Sequence, residues 1–300
     1  MHKVGDMRYA RLKQDVFIDA FVYVTLILFA LMCLYPVVYI FSLSISSPVA
    51  VRRMEVWLLP KGLSLESFKL IFTHPYIVKS YMNSIFYTVC GTAYSMVLTI
   101  LGAFVLSRKR LIGRNFFMFA IWFTMVFTGG LVPTYLLVND LHMINTRWAL
   151  IIPTAISQYN LIIMRTSMME IPDSLEESAK LDGANDFRVM TSIVLPMSVP
   201  VLSTIALFYG VWIWNSYFTA LIYLSSKDLY PLQAILRELL VAFTDSFTDL
   251  AKMDSRTQSM FTPFGFRAAV VVASILPMMF VYPFIQKYFV TGIMIGSIKG

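Results

Sequence analysis

The chain has 300 residues, of which 58% are hydrophobic and 14% are charged, and its formal net charge is +7. Soluble domains carry roughly 25% charged residues, so this composition excludes an ordinary soluble protein. The positive charge is not a nucleic-acid signature, because lysine and arginine cluster at the ends of apolar segments instead of forming a basic stripe with interleaved aromatic residues. The sequence predicts an integral membrane protein.

Six long segments without charged side chains predict the architecture. A membrane-spanning helix needs about 20 mostly apolar residues, with a range of roughly 17–25. The charge-free windows are 20–51, 80–107, 115–139, 148–164, 189–226 and 268–286. They predict an all-α integral membrane fold with six transmembrane helices, and window 148–164 is the shortest of the six.

The first window follows a basic tail, which raises the alternative of a cleaved signal peptide. Met1–Lys13 is basic, and Ser44-Ile45-Ser46 has the small-residue pattern of a cleavage site. Secretory apolar cores run only about 7–15 residues, whereas this apolar run is longer and five further windows follow it. A retained first helix is therefore favoured.

Basic residues in the short connections predict which side of the membrane each connection faces. The 107–115 connection holds four basic residues, whereas the 139–147 connection holds one. The positive-inside rule then places both tails (1–19 and 291–300), the 107–115 loop and a loop at 172–196 in the cytoplasm, around a six-span domain at 20–290. The asymmetry is weak, because the predicted outer connections hold nearly half of the 24 basic residues.

Two predicted outer connections are long enough to hold helices. In the first connection, 46–79, we expect a short helix at 65–72 with Ser64 as its N-cap. In the second, 227–267, a helical stretch places apolar residues along one face: Ile235, Leu236, Leu239, Leu240 and Phe243. Each helix is expected either to lie at the membrane surface or to offer a landing surface to an external partner.

The loop at 172–196 is polar and its pattern predicts two short helices. Asp173 or Ser174 is expected to cap the first helix, and Gly183 follows where a helix often ends in the left-handed conformation. The apolar side of this helix is predicted to carry Leu175, Ala179 and Leu181. A second helix is expected at 185–192, and Pro196 and Pro200 mark the entry to the fifth span. We name this predicted helix–turn–helix segment, 172–196, the elbow.

The elbow also contains a spaced motif. Glu177-Ser178-Ala179 is followed after three residues by Gly183, after nine more by Ile193, and after one more by Leu195-Pro196. This spacing resembles the cytoplasmic "EAA" loop of permease subunits in ATP-binding-cassette (ABC) importers at every anchor but one, where Ser178 replaces an alanine. The resemblance implies docking to an ATPase through the residues Glu177, Ser178, Ala179, Asp182, Gly183, Ala184, Ile193, Leu195 and Pro196.

Other segments extend the resemblance to the carbohydrate importers. Residues 214–218 (Trp-Asn-Ser-Tyr-Phe) and the ending Gly292…Gly296–Gly300 resemble the smaller partner of a maltose-type permease pair. Residues 127–135 are similar to the subgroup for complex or acidic oligosaccharides, including pectin and alginate fragments. The resemblance implies a second permease, two ATPase subunits, an extracytoplasmic solute-binding protein, a carbohydrate substrate and a bacterial inner membrane.

The chain shows no energy source of its own. Its six windows contain no Asp, Glu, Lys, Arg or His, which argues against a proton-driven carrier but leaves sodium coupling open. It has no Gly-Lys dipeptide and hence no phosphate-binding P-loop, so ATP and Mg are expected on the partner ATPase and no cofactor on this chain. A self-sufficient secondary transporter and a scaffold subunit remain as alternatives.

Enzymatic motifs are also missing from the sequence. There is no His-Glu-x-x-His or Gly-x-Ser-x-Gly motif. His2, His74 and His142 are far apart in the sequence, and we expect no metal site from them. The chain is therefore expected not to be an enzyme.

The fifth window combines amide and aromatic side chains of the kind that bind sugars. The candidate substrate-path residues are Trp212, Trp214, Asn215, Tyr217 and Phe218. The competing interpretation places the tryptophan and tyrosine side chains in an interfacial belt and has Asn215 bond a neighbouring helix. The sequence does not decide between the two.

Overall fold

The computed structural model describes residues 13–245 and 262–297, and within these ranges the regular elements are helices apart from one isolated bridge between Ser46 and Leu63. The α-helices are α1 (Lys13–Ser44), α2 (Pro48–Arg52), α3 (Glu66–Thr73), α4 (Ile77–Ser107), α5 (Arg114–Val126), α6 (Leu131–Asp140), α7 (Trp148–Ile151), α8 (Gln158–Met169), α9 (Asp173–Leu181), α10 (Asp186–Val189), α11 (Leu195–Met197), α12 (Val199–Trp214), α13 (Phe218–Tyr223), α14 (Leu232–Asp245) and α15 (Pro263–Ser297). Of the predicted tails, 1–12 and 298–300 lie outside the described residues, as does His2.

Three of these helices are long and apolar enough to cross a membrane. They are Ile18–Ser44, Ile77–Ser107 and Pro263–Phe280, and they fall on the first, second and sixth predicted windows. Two further pairs of helices meet the same criterion if each bent pair is counted as one span, which gives up to five among the described residues. The all-helical fold is therefore observed, whereas the count of six spans stays a prediction.

Two of the windows are interrupted at a glycine or a proline. Window 115–139 is broken between α5 and α6, which meet at 113°, and Gly130 in the break has φ +84°. Window 148–164 contains α7, which ends at Ile151, and then α8, which begins at Gln158. Pro153 lies between them and has no N–H to continue a helical ladder. Charge-free length alone does not detect such breaks.

Residues 13–70 and 262–272 form one compact unit. Its core contains Leu43, Ala50, Val51, Val56 and Ala268. Ser47 caps α2 by accepting a hydrogen bond from the amide of Ala50. The predicted helix at 65–72 is observed as α3, and the Ser64 hydroxyl accepts a hydrogen bond from the amide of Glu66 at 3.4 Å.

Residues 71–245 and 273–297 form the second unit, in which α4 packs against α8, α12 and α14. Gly91 lets α12 come close, because a Cβ at this position would lie 2.9 Å from Cδ1 of Ile213. A buried hydrogen bond of 2.8 Å joins the hydroxyls of Thr99 on α4 and Tyr209 on α12. The same tyrosine hydroxyl accepts the amide of Ser157, which caps α8. One side chain thus connects three helices.

Helix α14 packs part of its predicted apolar face against the rest of the unit. Leu232, Ile235 and Leu236 are buried, and the amide of Leu232 donates to the hydroxyl of Ser84 on α4 at 2.7 Å. Leu239 and Leu240 are half-buried, and the side chain of Phe243 lies outside the described part. The apolar face predicted for this helix is therefore used for packing within the unit.

Candidate functional site

The first helix of the elbow, α9, begins at Asp173, which is one residue earlier than a cap at Asp173 and two residues earlier than a cap at Ser174 would require. Both residues are already helical, and Pro172 precedes them without a side-chain cap. The carboxylate of Asp173 instead accepts a hydrogen bond from Nζ of Lys109 at 2.6 Å. The capping prediction was therefore wrong, because a distant partner competes for the aspartate.

The end of α9 follows the prediction. Gly183 has φ +80°, its amide donates to the carbonyl of Lys180 at 3.0 Å, and the amide of Ala184 donates to the carbonyl of Ala179 at 2.9 Å. These two bonds form a Schellman motif, which satisfies carbonyls at the helix end and reverses the chain. Asn185 then caps α10 by accepting the amide of Arg188 at 2.9 Å.

The second half of the elbow is longer than the helix predicted at 185–192. Helix α10 continues through one π-helical turn, Met190–Val194, into α11, which ends at Met197. The chain then turns by 84° at Ser198 into α12, and Pro196 and Pro200 flank this corner. The elbow therefore leads directly into the first turn of α12.

The predicted ATPase-coupling residues occupy different environments on the elbow. Ala179, Asp182, Ala184 and Ile193 line one notch of about 160 Å³ between its two halves. Leu195 is half-buried and Pro196 is exposed. Glu177 and Ser178 are also exposed; Ser178 donates to the carbonyl of Ser174, and no ion pair of Glu177 occurs within the described ranges.

The apolar side predicted for α9 is not turned inward as a whole. Ala179 packs against the core, but Leu181 is 89% exposed and Leu175 is exposed as well. Phe187 on α10 is 68% exposed. Apolar periodicity assigns such residues to a core by default, so sequence reasoning missed that Leu181 and Phe187 project from the elbow.

Three ion pairs tie the elbow to the basic turn that follows α4. We call Arg108, Lys109 and Arg110 the basic turn; they pair with Glu176, Asp173 and Asp186, respectively. The pair of Arg108 with Glu176 is buried, with side-chain exposures of 11% and 10%. The other two pairs are open to solvent. The basic turn, which the positive-inside rule used to orient the chain in the membrane, thus supplies the ion-pair partners of the elbow.

Electrostatics support these contacts. The hydrogen bond from Lys109 lowers the pKa of the Asp173 carboxyl, and the hydrogen bond from Arg110 lowers that of Asp186. Burial lowers the pKa of the Arg108 guanidinium, and the neighbouring Arg110 adds to this effect. The guanidinium also stacks over the ring of Phe104, 4.3 Å from its centroid. The elbow is therefore held against α4 by charge and by packing.

Four of the five candidate substrate-path residues line one open groove of about 710 Å³ at the end of α12. Trp212, Asn215, Tyr217 and Phe218 contribute to its wall, and the three aromatic side chains are exposed. We name this feature the aromatic groove. Its wall combines aromatic side chains with an amide.

Trp214 lies elsewhere. It is 4% exposed, and its Nε1–H donates to the carbonyl of Ser274 on α15 at 3.2 Å. The amide of Asn215 donates to the carbonyl of Val211 in its own helix at 2.8 Å, so it does not bond a neighbouring helix as the competing interpretation expected. The helix-joining role belongs to Trp214 instead.

Comparison with known proteins identifies the family. Residues 5–295 match the family described as "Binding-protein-dependent transport system inner membrane component". The chain belongs to this family. It is accordingly an inner membrane transport component, a permease of the ABC type.

Two relatives from Bacillus subtilis (strain 168) illustrate the similarity. The "Polygalacturonan/rhamnogalacturonan transport system permease protein YtcP" is 42% identical over 282 residues, which cover 94% of this chain and 98% of the relative. "Protein LplC" is 39% identical over 267 residues, which cover 88% of this chain and 89% of the relative. Both alignments include the elbow and the aromatic groove within their length.

Solved structures agree with the fold. A chain described as "Crystal structure of a bacterial ABC transporter involved in the import of the acidic polysaccharide alginate" is 35% identical, with a TM-score of 0.82, and the match covers 93% of this permease and 98% of that chain. A chain of an alginate ABC transporter bound to an alginate pentasaccharide-bound periplasmic protein has a TM-score of 0.58 at 14% identity, which shows a similar fold alone.

Proposed function

We propose that this permease subunit imports acidic oligosaccharides, of the uronate type, in an ATP-driven transporter. The observation that carries the proposal is the elbow, an exposed and rigidly held helical pair that turns directly into the helix bearing the aromatic groove. A chain with such a coupling device and no P-loop needs a partner that hydrolyses ATP.

The substrate class rests on the relatives and on the groove. The first relative is named for polygalacturonan and rhamnogalacturonan, and the most similar fold described above is that of an importer of acidic alginate. Galacturonate units carry both hydroxyls and carboxylates. Exposed aromatic rings and the Asn215 amide in the groove match the ring faces and hydroxyls of such sugars.

The proposed assembly contains a second permease, two ATPase subunits that bind ATP and Mg, and an extracytoplasmic solute-binding protein. In this assembly the chain crosses the membrane six times within 20–290, with both tails and the elbow in the cytoplasm and the elbow between the fourth and fifth spans. The bent pair of α5 and α6 then counts as the third span, α7 and α8 together supply the fourth, and α12 begins the fifth after the elbow. No cofactor is assigned to this chain.

The proposed coupling proceeds from the ATPase through the elbow to the groove. Leu181 and Phe187 project as exposed apolar side chains, which a docked partner would remove from water. Glu177 is available to pair with a basic residue of the ATPase. The elbow turns into α12 at Ser198, so a displacement of the elbow also moves α12. This movement opens the groove alternately to the two sides of the membrane.

Co-purification with the cognate ATPase subunits tests the coupling role. Glu177→Lys and Phe187→Ala are expected to weaken the association and to reduce ATP hydrolysis stimulated by the sugar-loaded binding protein. Glu170→Lys is the matched control, because Glu170 is also exposed but lies at the end of α8, before the elbow. Normal association and stimulation in both elbow variants would refute the coupling role.

Uptake by the reconstituted transporter tests the substrate class. Vesicles that contain both permeases and the ATPases, supplied with the binding protein, are expected to accumulate oligogalacturonates in the presence of ATP. Transport of neutral oligosaccharides alone would refute the acidic substrate while leaving the permease function intact.

A further inference from the structure

Arg237 lies beside the aromatic groove. It is an exposed residue of α14, and its guanidinium carbon lies over the ring of Tyr217, 4.6 Å from the ring centroid. Tyr217 is one of the residues that line the groove. The arginine is therefore held at the wall of the predicted sugar path by a cation–π contact.

Two carboxylates close to Arg237 in the sequence already have partners within the described residues. Glu238, the next residue, pairs with Lys227, and Asp228 pairs with Lys79 at 2.7 Å. Within residues 13–245 and 262–297, Arg237 itself forms no ion pair. It is thus a positive charge that no neighbouring carboxylate in the described structure neutralises.

A guanidinium carries its N–H donors in a planar fork, and this fork matches the two oxygens of a carboxylate. The residues that line the groove carry no charge, so Arg237 is the charged side chain in contact with its described wall. A neutral sugar does not need such a group, whereas a uronate does.

We propose that Arg237 binds the carboxylate of a uronate unit in the aromatic groove and so selects acidic over neutral oligosaccharides. This assignment rests on the proposed function, because it requires the groove to be part of the sugar path. Tyr217 acts as the positioning residue: its ring holds the guanidinium at the wall while the sugar rings contact Trp212 and Phe218.

Oligogalacturonate uptake by reconstituted transporters tests this assignment in four permease chains: wild type, Arg237→Gln, Arg237→Lys and Arg147→Gln. Arg147 is the matched control, because it is also exposed and stacked on a ring, that of Phe86 at 4.7 Å, and neither residue lines the groove. All variants are assayed with the same solute-binding protein, so the binding of the sugar to that protein is unchanged. Binding-protein-stimulated ATP hydrolysis checks that each transporter is assembled.

Arg237→Gln is expected to reduce uptake at limiting substrate by about tenfold or more, since a hydrogen bond to a charged group contributes that much to affinity. Arg237→Lys is expected to recover part of the uptake because it keeps the charge, and Arg147→Gln is expected to match the wild type. An Arg237→Gln transporter no slower than the control, or a lysine variant as slow as the glutamine variant, would contradict the proposal. Wild-type transporter without any oligogalacturonate uptake would instead refute the proposed substrate.

Discussion

The buried pair of Arg108 and Glu176 is expected to be the main attachment between the elbow and α4. Glu176→Gln keeps the shape of the side chain but leaves the guanidinium of Arg108 without its counter-charge in a site where both side chains are about nine-tenths buried. Removal of one partner from a buried ion pair costs about 3–5 kcal/mol. One nitrogen of Arg108, Nη2, has no hydrogen-bond partner among the described residues, so little local compensation is available.

Hydrogen–deuterium exchange of the elbow amides in the assembled transporter measures this effect. A loss of about 3 kcal/mol in the opening free energy corresponds to roughly 100-fold faster exchange in residues 173–197. Asp173→Asn is the matched control, because it removes the carboxylate charge from an exposed pair on the same helix, and exposed pairs contribute little. Its exchange is expected to remain close to that of the wild type.

A double variant completes the test. Arg108→Met combined with Glu176→Leu removes both buried charges, and apolar replacement of a buried pair is often neutral or stabilising. Its elbow is expected to exchange more slowly than that of Glu176→Gln. If Glu176→Gln and Asp173→Asn accelerate exchange equally, burial does not determine the strength of these contacts, and the reasoning fails.

Three further outcomes are expected. Gly183→Ala should destabilise the elbow by about 1–2 kcal/mol, because a non-glycine residue must adopt the left-handed conformation there, and Gly183→Asn should cost less; elbow exchange compares the two. The pKa values of Asp173 and Asp186 lie below the ordinary value of 3.8. Their contribution to stability, which is small because both pairs are exposed, is present above that pH and is lost as pH falls through the folded pKa. A pH series of elbow exchange, slightly flattened in the double asparagine variant, checks this. Tyr209→Phe should cost about 1–3 kcal/mol by leaving the Ser157 amide without its acceptor, measured as a lower unfolding temperature of the purified complex.

Helix content and membrane character followed from local sequence, whereas span geometry did not. Long charge-free windows are sufficient to predict α1, α4 and α15, because a continuous apolar helix needs no tertiary partner to satisfy its backbone. The positions of the breaks at Gly130 and Pro153 depend also on how neighbouring helices pack. A prediction from charge-free windows therefore missed the bend between α5 and α6 and the gap between α7 and α8.

The same division applies to the elbow. Its glycine turn was predictable because φ +80° at Gly183 is a local requirement with a strong residue preference. The role of Asp173 was not, since a carboxylate can either cap its own helix or pair with Lys109, which is remote in the sequence. Likewise, the side of the helix on which Leu181 lies became clear only when the core contacts of Ala179 were known.

By itself, the sequence determined that this protein is a helical membrane permease with a spaced coupling motif, because hydropathy and motif spacing are properties of the chain alone. The tertiary structure decided which charges are joined: it turned the basic residues after α4 into partners of the elbow and placed Arg237 over Tyr217 beside the groove. Electrostatic and stacking energies depend on distance and burial, and neither quantity exists until distant segments have packed together.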